Sequence, residues 1–248
     1  MRKKIDFSYV DVHSHILYGV DDGSNDIETS KDMISIAYEE GIRKIIATPH
    51  YHPERGSVGC EELLRQFEVF KQNVQDVCPE MEWALGREIY YTSDVLEDLE
   101  AGKKLTMGDS RYVLVEYHPT VDYAYLRTSI SNITQMGYIP LIAHIERYMC
   151  VMKDIDRAYE LKNMGAFIQV NASSVIGSAG KDVKKFIKKM MKDELVDAVG
   201  TDAHSNGHRA PRMQECAEYI CKKFGYDYAK RILHDNAEAI LRGEYLED

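Results

Sequence analysis

An α/β barrel of seven strand–helix units is the fold this sequence predicts, and three observations lead to it. The chain has 248 residues, close to the roughly 250 typical of a single barrel. Short apolar runs alternate with segments of helical period from one end to the other, which implies parallel strands joined by helices. Seven apolar runs also lead directly into polar chemistry, as strands do when they deliver side chains to one rim of a barrel. Those runs are Asp11-Val12-His13-Ser14-His15, Ala47-Thr48-Pro49-His50, Leu85-Gly86-Arg87-Glu88, Leu114-Val115-Glu116, Ile142-Ala143-His144, Ile168-Gln169-Val170-Asn171 and Val199-Gly200-Thr201-Asp202-Ala203-His204.

The elements follow in order. After the first strand, residues 28–40 place Met33, Ile36 and Ala37 on one helical face and stop at Gly41, a natural helix terminator. Arg43 to Thr48 is the next strand. Residues 61–77 set Leu63, Phe67, Phe70, Val74 and Val77 on a single stripe. Trp83 to Leu85 and Tyr112 to Tyr117 are strand-like, with a short helix between them near Val95 to Leu99. A helix over about 124–136 buries Leu126, Ile130 and Ile133 and ends at Gly137. Another, about 154–164, ends at Gly165. In the run from Lys181 to Lys192, Val183, Phe186, Ile187 and Met190 interleave with six lysines, giving an amphipathic helix with a solvated basic face. Helices around 211–224, 226–233 and 236–242 finish the chain. No repeat or Gly/Ser/Pro-rich linker divides it, so one domain over 1–248 is expected.

Composition excludes several classes. At 44% hydrophobic and 29% charged residues, the chain is neither disordered nor fibrous. Its five cysteines, Cys60, Cys78, Cys150, Cys216 and Cys221, are odd in number and scattered, which argues against a disulfide framework and for a reducing cytoplasm. The basic start Met1-Arg2-Lys3-Lys4 is followed by no apolar run that would make a signal peptide. No apolar stretch is long enough to cross a bilayer, so membrane insertion is not expected. A net charge of −10 argues against nucleic acid or an anionic membrane as the main partner. It leaves a phosphorylated substrate open, because bound cations would reverse the local field.

The candidate ligands are more informative together than singly. Asp11, His13 and His15 alternate, so on a regular strand they share one face. Two imidazoles so spaced can grip a cation, with Asp11 as a supporting or bridging group. Asp21-Asp22-Gly23 adds carboxylates near the strand end but is also an ordinary turn sequence. His50 and His144 each close an apolar run. Glu88 and Glu116 stand beside apolar segments where an unpaired charge would be costly. Asp202-Ala203-His204 repeats the spacing of the first strand. His52, His118 and His234 are read as non-ligands, and His208 as a possible substrate contact. Imidazole and carboxylate without thiolate suit Mn²⁺, Fe²⁺ or Zn²⁺ better than Ca²⁺. About eight ligands exceed what one ion needs, which points to two or three ions close together.

This series resembles the polymerase and histidinol phosphatase (PHP) superfamily in His13-Ser14-His15, Thr48-Pro49-His50, Glu88, Glu116, His144 and Asp202-Ala203-His204. More narrowly it resembles the bacterial PHP-type tyrosine-protein phosphatases of capsular and exopolysaccharide systems. That likeness rests on Asp11 to Ile16 running into Val20-Asp21-Asp22-Gly23, and on Glu88-Ile89-Tyr90-Tyr91 and Asp109-Ser110-Arg111-Tyr112. It rests also on Ala143-His144-Ile145-Glu146-Arg147-Tyr148 and Gln169-Val170-Asn171. The resemblance spans roughly residues 9 to 242. It implies a distorted (β/α)7 barrel with three divalent ions per chain, usually manganese, at the C-terminal rim of the strands. By motif, one ion would take His13, His15, Glu88 and Asp202. Glu88 would bridge to a second, held also by Glu116 and His144, and Asp22, His50 and His204 would complete the third. Arg147 and Arg209 match arginines that hold phosphate. The local alternatives are a pair with Glu146 or a helix-start contact for Arg147, and a loop salt bridge for Arg209. After His50 the sequence Tyr51-His52-Pro53-Glu54-Arg55 departs from the more basic stretch of some relatives, which puts the grip on the surrounding peptide in question.

The activity implied is hydrolysis of phosphotyrosine on a protein, the tail of an autophosphorylating bacterial tyrosine kinase, by attack of a hydroxide bridging the ions. His204 is the candidate acid, if one is used. No cysteine is followed at the sixth position by arginine, so a cysteine-phosphatase mechanism does not fit. The competing readings are a PHP phosphatase for a small phosphoester such as histidinol phosphate, a catalytically silent metal-binding regulator, and a metal-dependent amidohydrolase on a similar barrel.

Overall fold

The computed structural model describes residues 5–246, and the basic start Met1 to Lys4 lies outside them. Among the described residues, nine parallel strands alternate with helices. The strands are β1 (Tyr9–Ser14), β2 (Ile42–Ala47), β3 (His50–Tyr51), β4 (Glu82–Leu85), β5 (Glu88–Tyr90), β6 (Tyr112–Glu116), β7 (Ile139–Ile142), β8 (Phe167–Asn171) and β9 (Ala198–Gly200). The helices are α1 (Ile27–Glu39), α2 (Cys60–Val74), α3 (Asp94–Glu100), α4 (Tyr123–Gln135), α5 (Met149–Met152), α6 (Asp156–Asn163), α7 (Ala172–Ile176), α8 (Lys181–Lys192), α9 (Gln214–Phe224), α10 (Tyr226–Lys230) and α11 (Asn236–Arg242). No helix among the described residues is long and apolar enough to cross a membrane.

Hydrogen bonding orders the strands as β1-β2-β4 in one sheet and β3-β5-β6-β7-β8-β9 in another. The two sheets form one wall, because β2 with β3 and β4 with β5 are interrupted single strands. Thr48-Pro49 breaks the first, since proline has no N–H for the ladder, and Gly86-Arg87 breaks the second. Backbone bonds carry the wall across the gaps: Thr48 N donates to Ser14 O at 2.9 Å, Gly86 N to Ala47 O at 2.8 Å and Glu88 N to Pro49 O at 3.2 Å. The ends meet where Asp202 N donates to His13 O at 2.7 Å and His15 N to Ala203 O at 2.8 Å. Seven strand units therefore close into the distorted (β/α)7 barrel that the sequence predicts.

Two apolar layers result. Outward strand residues such as Ile45, Tyr51, Ile89 and Val115 pack with Ile34, Phe70, Ile130 and Ile187 of the helices. The interior is filled by Val10, Val12, Ile46, Leu114, Leu141 and Phe167, with Ala237 and Ile240 of α11 and Leu246. Tyr112 fixes this closing segment, its hydroxyl donating to Glu244 O at 3.0 Å and accepting from Leu246 N at 3.0 Å. α11 thus plugs the barrel at the end where the strands begin, opposite the rim that carries the ligands, a role its sequence does not announce. Ile240 is fully buried, so Ile240→Ala should lower unfolding stability by about 2–5 kcal/mol, read from denaturant midpoints.

Several boundaries differ from expectation. The helix expected over 154–164 is α6, and it is preceded by a short helix, α5, that the sequence reading lacks. That expected over 211–224 begins at Gln214, and α10 runs into α11 through a π-helical segment, Arg231–Asp235. α8 matches, with Phe186, Ile187, Met190 and Met191 buried and Lys181, Lys185, Lys188, Lys189 and Lys192 exposed.

Candidate metal centre

Every ligand candidate from the sequence arrives at one rim of the barrel, but the local routes differ from regular strand ends. β1 carries register shifts between Tyr9 and Val10 and between Asp11 and Ser14, so Asp11 does not share the face of His13 and His15, whose Nε2 atoms lie 3.2 Å apart. Asp11 turns instead to the segment after β9. It accepts from Thr201 N at 2.8 Å and from the Thr201 hydroxyl, and burial raises its carboxyl to about 6. It closes the barrel seam and stands outside the ligand clusters. His50 and Glu88 do not end strands; they open β3 and β5 after the breaks and face each other in register. His144 and Asp202 lie just past β7 and β9 with left-handed backbone, φ 32° and 53°. For residues with a Cβ such conformations cost about 1–3 kcal/mol and persist where the surroundings demand them.

Glu88 is the hub. It is buried (1% exposed), and its Oε2 lies 3.1 Å from His13 Nε2, His15 Nε2 and His50 Nδ1. Its Oε1 sits 2.7 Å from His144 Nε2. Three groups have ligand atoms all within 4.8 Å of one another: His13, His15, Glu88 and Asp202; His15, Asp22, His50 and His204; and His50, Glu88 and Glu116. The first is the set expected for one ion. The other two differ from the motif-based sets by adding His15 and by placing His50 beside Glu116. His144 Nε2 still approaches Glu116 Oε2, at 3.8 Å. Asp22 keeps its carboxylate at the solvent side, 3.3 Å from His50 and 3.6 Å from His204.

The donor chemistry fits divalent cations. Glu88 Oε2 and His144 Nδ1 are buried without a hydrogen-bond partner, although three imidazole nitrogens crowd the first. Four imidazoles around a desolvated carboxylate with no well-formed bond to one of its oxygens suit a shared cation better than mutual hydrogen bonding. Without ions, protons supply the missing positive charge. Burial opposes protonation of His15, but Asp21 and Glu88 outweigh it and raise the imidazole to about 10. His13 is raised too, the charges of Glu88 and Asp202 overcoming burial. His204 goes the other way, to about 4, through burial and the charge of His15, which leaves it neutral and fit to donate a lone pair.

A prediction follows from these signs. His15 gains its proton's stabilisation below the ordinary value of 6.5 and loses it as pH rises through about 10. A cation must displace that proton. Loading the chelator-stripped protein with Mn²⁺ at pH 7 in weak buffer should release at least one proton per chain, and affinity should rise with pH. Calorimetry in buffers of different ionisation heat checks this.

Supporting residues explain the geometry. Asp21, not only Asp22, matters: its carboxylate holds His15 Nδ1 at 2.7 Å and His50 N at 3.0 Å, and His15 draws its pKa down to about 2 against burial. Gln169 Oε1 accepts from His144 N at 2.7 Å and lies 3.4 Å from His13 Nδ1. Asn171 Nδ2 donates to Asp202 Oδ2 at 2.9 Å. Glu146, fully buried with its pKa raised by burial, accepts from Asn171 N at 3.0 Å. Gly23 and Gly200 permit close approach, since a Cβ would lie 2.2 Å from His15 O in one and 2.6 Å from His13 Cβ in the other.

Arg147 and Arg209 converge on Asp202. Arg209 Nη2 is 2.8 Å from Oδ1, and Arg147 Nη2 bonds Oδ2. Arg147 thus bonds Asp202 and not Glu146, while Arg209 makes the loop salt bridge that was its local alternative, with a cluster residue as its partner. Both stay partly exposed, at 42% and 39%. His118 pairs with Thr120, and His234 with Ser8 O at 2.9 Å, both away from the cluster.

Comparison with known proteins agrees. Tyrosine-protein phosphatase CpsB of Streptococcus pneumoniae is 35% identical over 96% of this chain and all of its own length. A putative tyrosine-protein phosphatase, CapC of Staphylococcus aureus, is 32% identical over 94% of this chain and 88% of that one. A solved structure from work on YwqE of Bacillus subtilis and CpsB of S. pneumoniae, described as unique metal-dependent tyrosine phosphatases, superposes with a TM-score of 0.89. It shares 29% identity, with 96% of each chain covered. Residues 9–242 match the family described as capsular polysaccharide synthesis, CpsB/CapC, and the chain belongs to that family.

Proposed function

We propose that this chain is a metal-dependent protein-tyrosine phosphatase that acts on a phosphorylated protein of capsular or exopolysaccharide synthesis. The tyrosine-rich tail of a bacterial kinase, in the cytoplasm, is the substrate the reading favours. The observation that carries it is the convergence of four imidazoles on Glu88 beside two arginines on Asp202. A centre for clustered cations is thereby fused to one for phosphate. Three divalent ions, manganese first, would be held by His13, His15, Asp22, His50, Glu88, Glu116, His144, Asp202 and His204.

Such ions supply Lewis acidity toward phosphoryl oxygens and acidify water near neutral pH. The rest is the work of the chain. Asp21 and Gln169 fix the imidazoles in orientation. Arg147 and Arg209, held beside the cluster by Asp202, would meet the equatorial phosphate oxygens and balance their growing charge. The leaving phenol, with a pKa near 10, departs with little proton donation. Neutral His204 accordingly serves better as a ligand than as an acid.

The test is phosphate release from a phosphotyrosine peptide, a phosphoserine peptide and histidinol phosphate by Mn²⁺-loaded protein. Preference for phosphotyrosine supports the proposal. Activity confined to histidinol phosphate would replace the substrate, and bound metal with no hydrolysis would leave a silent regulator.

A further inference from the structure

We infer that His52 and Tyr90 form a stacked aromatic shelf against which the phenyl ring of the substrate lies, and that this shelf selects aryl over alkyl phosphoesters. The inference rests on the phosphatase reading above and concerns how the same site chooses its substrate. The two rings lie 4.6 Å apart between centroids with an interplanar angle of 11°. Their placement follows from strand alternation. Tyr51 and Ile89 are buried in the layer between strands and helices, so His50 and Glu88 face the opposite side. His52 continues the extended chain, with φ −128° and ψ 105°, and Tyr90 ends β5. Each therefore points the same way as the cluster residue two positions before it. Two extended residues advance about 6.6 Å, so the two rings stand one step outward from the cluster on the same face. Tyr90 also sits in register with Glu116, which brings the shelf over the cluster's edge.

The shelf is braced before any substrate arrives. His52 N donates to Ser57 Oγ at 2.7 Å, and that hydroxyl donates back to His52 O at 3.4 Å. Buried Arg87 holds the same loop from beneath, donating to His50 O at 3.2 Å and to Val58 O. His52 Nδ1 is buried with no hydrogen-bond partner, so the ring is fixed by its backbone and by stacking. A preset aromatic surface costs little ordering on binding and favours a flat ring by offset or edge packing.

The experiment compares kcat and KM for phenyl phosphate and ethyl phosphate in the Mn²⁺-loaded full chain, its His52→Ala and Tyr90→Ala variants, and Tyr90→Phe. The aryl-to-alkyl ratio of kcat/KM should fall about three- to tenfold in each alanine variant, mainly through KM for the aryl ester. Tyr90→Phe should retain the ratio, and metal content should match the parent throughout. His52→Ala, in a loop, stands in if Tyr90→Ala misfolds. An unchanged ratio in folded, metal-loaded variants would overturn the shelf, while a parent lacking phosphotyrosine hydrolysis would overturn the phosphatase reading itself.

Discussion

Glu88→Gln should strip the centre of both metal and activity. The substitution keeps the shape of the side chain and removes the charge that four imidazoles approach at 2.7 to 3.1 Å. Because Glu88 belongs to two of the three ligand clusters, one change weakens both. Burial alone would push this carboxyl toward its neutral form, yet the charge of His13 and the neighbouring imidazoles hold it well below the ordinary range. Its negative charge is thus built into the site. Hydrolysis of a phosphotyrosine peptide should fall by about 10³ or more, roughly 4 kcal/mol of barrier. Elemental analysis after dialysis should show fewer ions per chain. His13→Ala should act the same way, since His13 is buried against Glu88 and Asp202.

Arg209→Ala should separate binding of metal from turnover. The Arg209 side chain reaches the cluster through Asp202, and the backbone bond from His204 N to Arg209 O is kept in the variant, so ion content should stay near that of the parent. The phosphate oxygens would lose a guanidinium positioned to meet charge as it develops. Removing one such donor from a preorganised site costs about 10²–10³ in kcat. Arg209→Lys should recover only part, because an ammonium lacks the planar fork that grips two oxygens at once. Arg147→Ala is expected to behave alike, and the two losses should not add, since both side chains share Asp202 and the same phosphate. Stopped assays across substrate concentration, paired with metal analysis, distinguish this pattern from that of Glu88→Gln.

The barrel was legible because its helices carry clean stripes, such as Leu63, Phe67, Phe70 and Val74 in α2, and because apolar runs end in ligand chemistry. The interruptions were less legible. Thr48-Pro49 signals a break through the missing N–H, but Gly86-Arg87 does so only through tertiary context, and each moves a ligand from a strand's end to a strand's start. Asp11 looked like a partner of His13 by spacing; bulges in β1 turn its carboxylate mainly to Thr201, although it still accepts from His13 N at 3.3 Å. Asp21 and Asp22 are adjacent and alike in sequence. Only burial separates the one that orients His15 from the one that stays at the mouth, 69% exposed. The meeting of Arg147 and Arg209 on Asp202 joins positions 55 and 7 residues away, and no local pattern reports such a contact. The inward course of α11 is equally hidden, since an amphipathic helix reads the same whether it covers a barrel or plugs it.

The central claim is that phosphotyrosine is hydrolysed at this cluster by virtue of the cations it holds. The most direct measurement titrates the chelator-stripped protein with Mn²⁺ while counting ions bound per chain and phosphate released from a phosphotyrosine peptide. The account predicts no release from the stripped protein and a rise in rate that tracks occupancy of the centre. Full release from protein shown to be metal-free, or none from protein with its ions loaded, would contradict it.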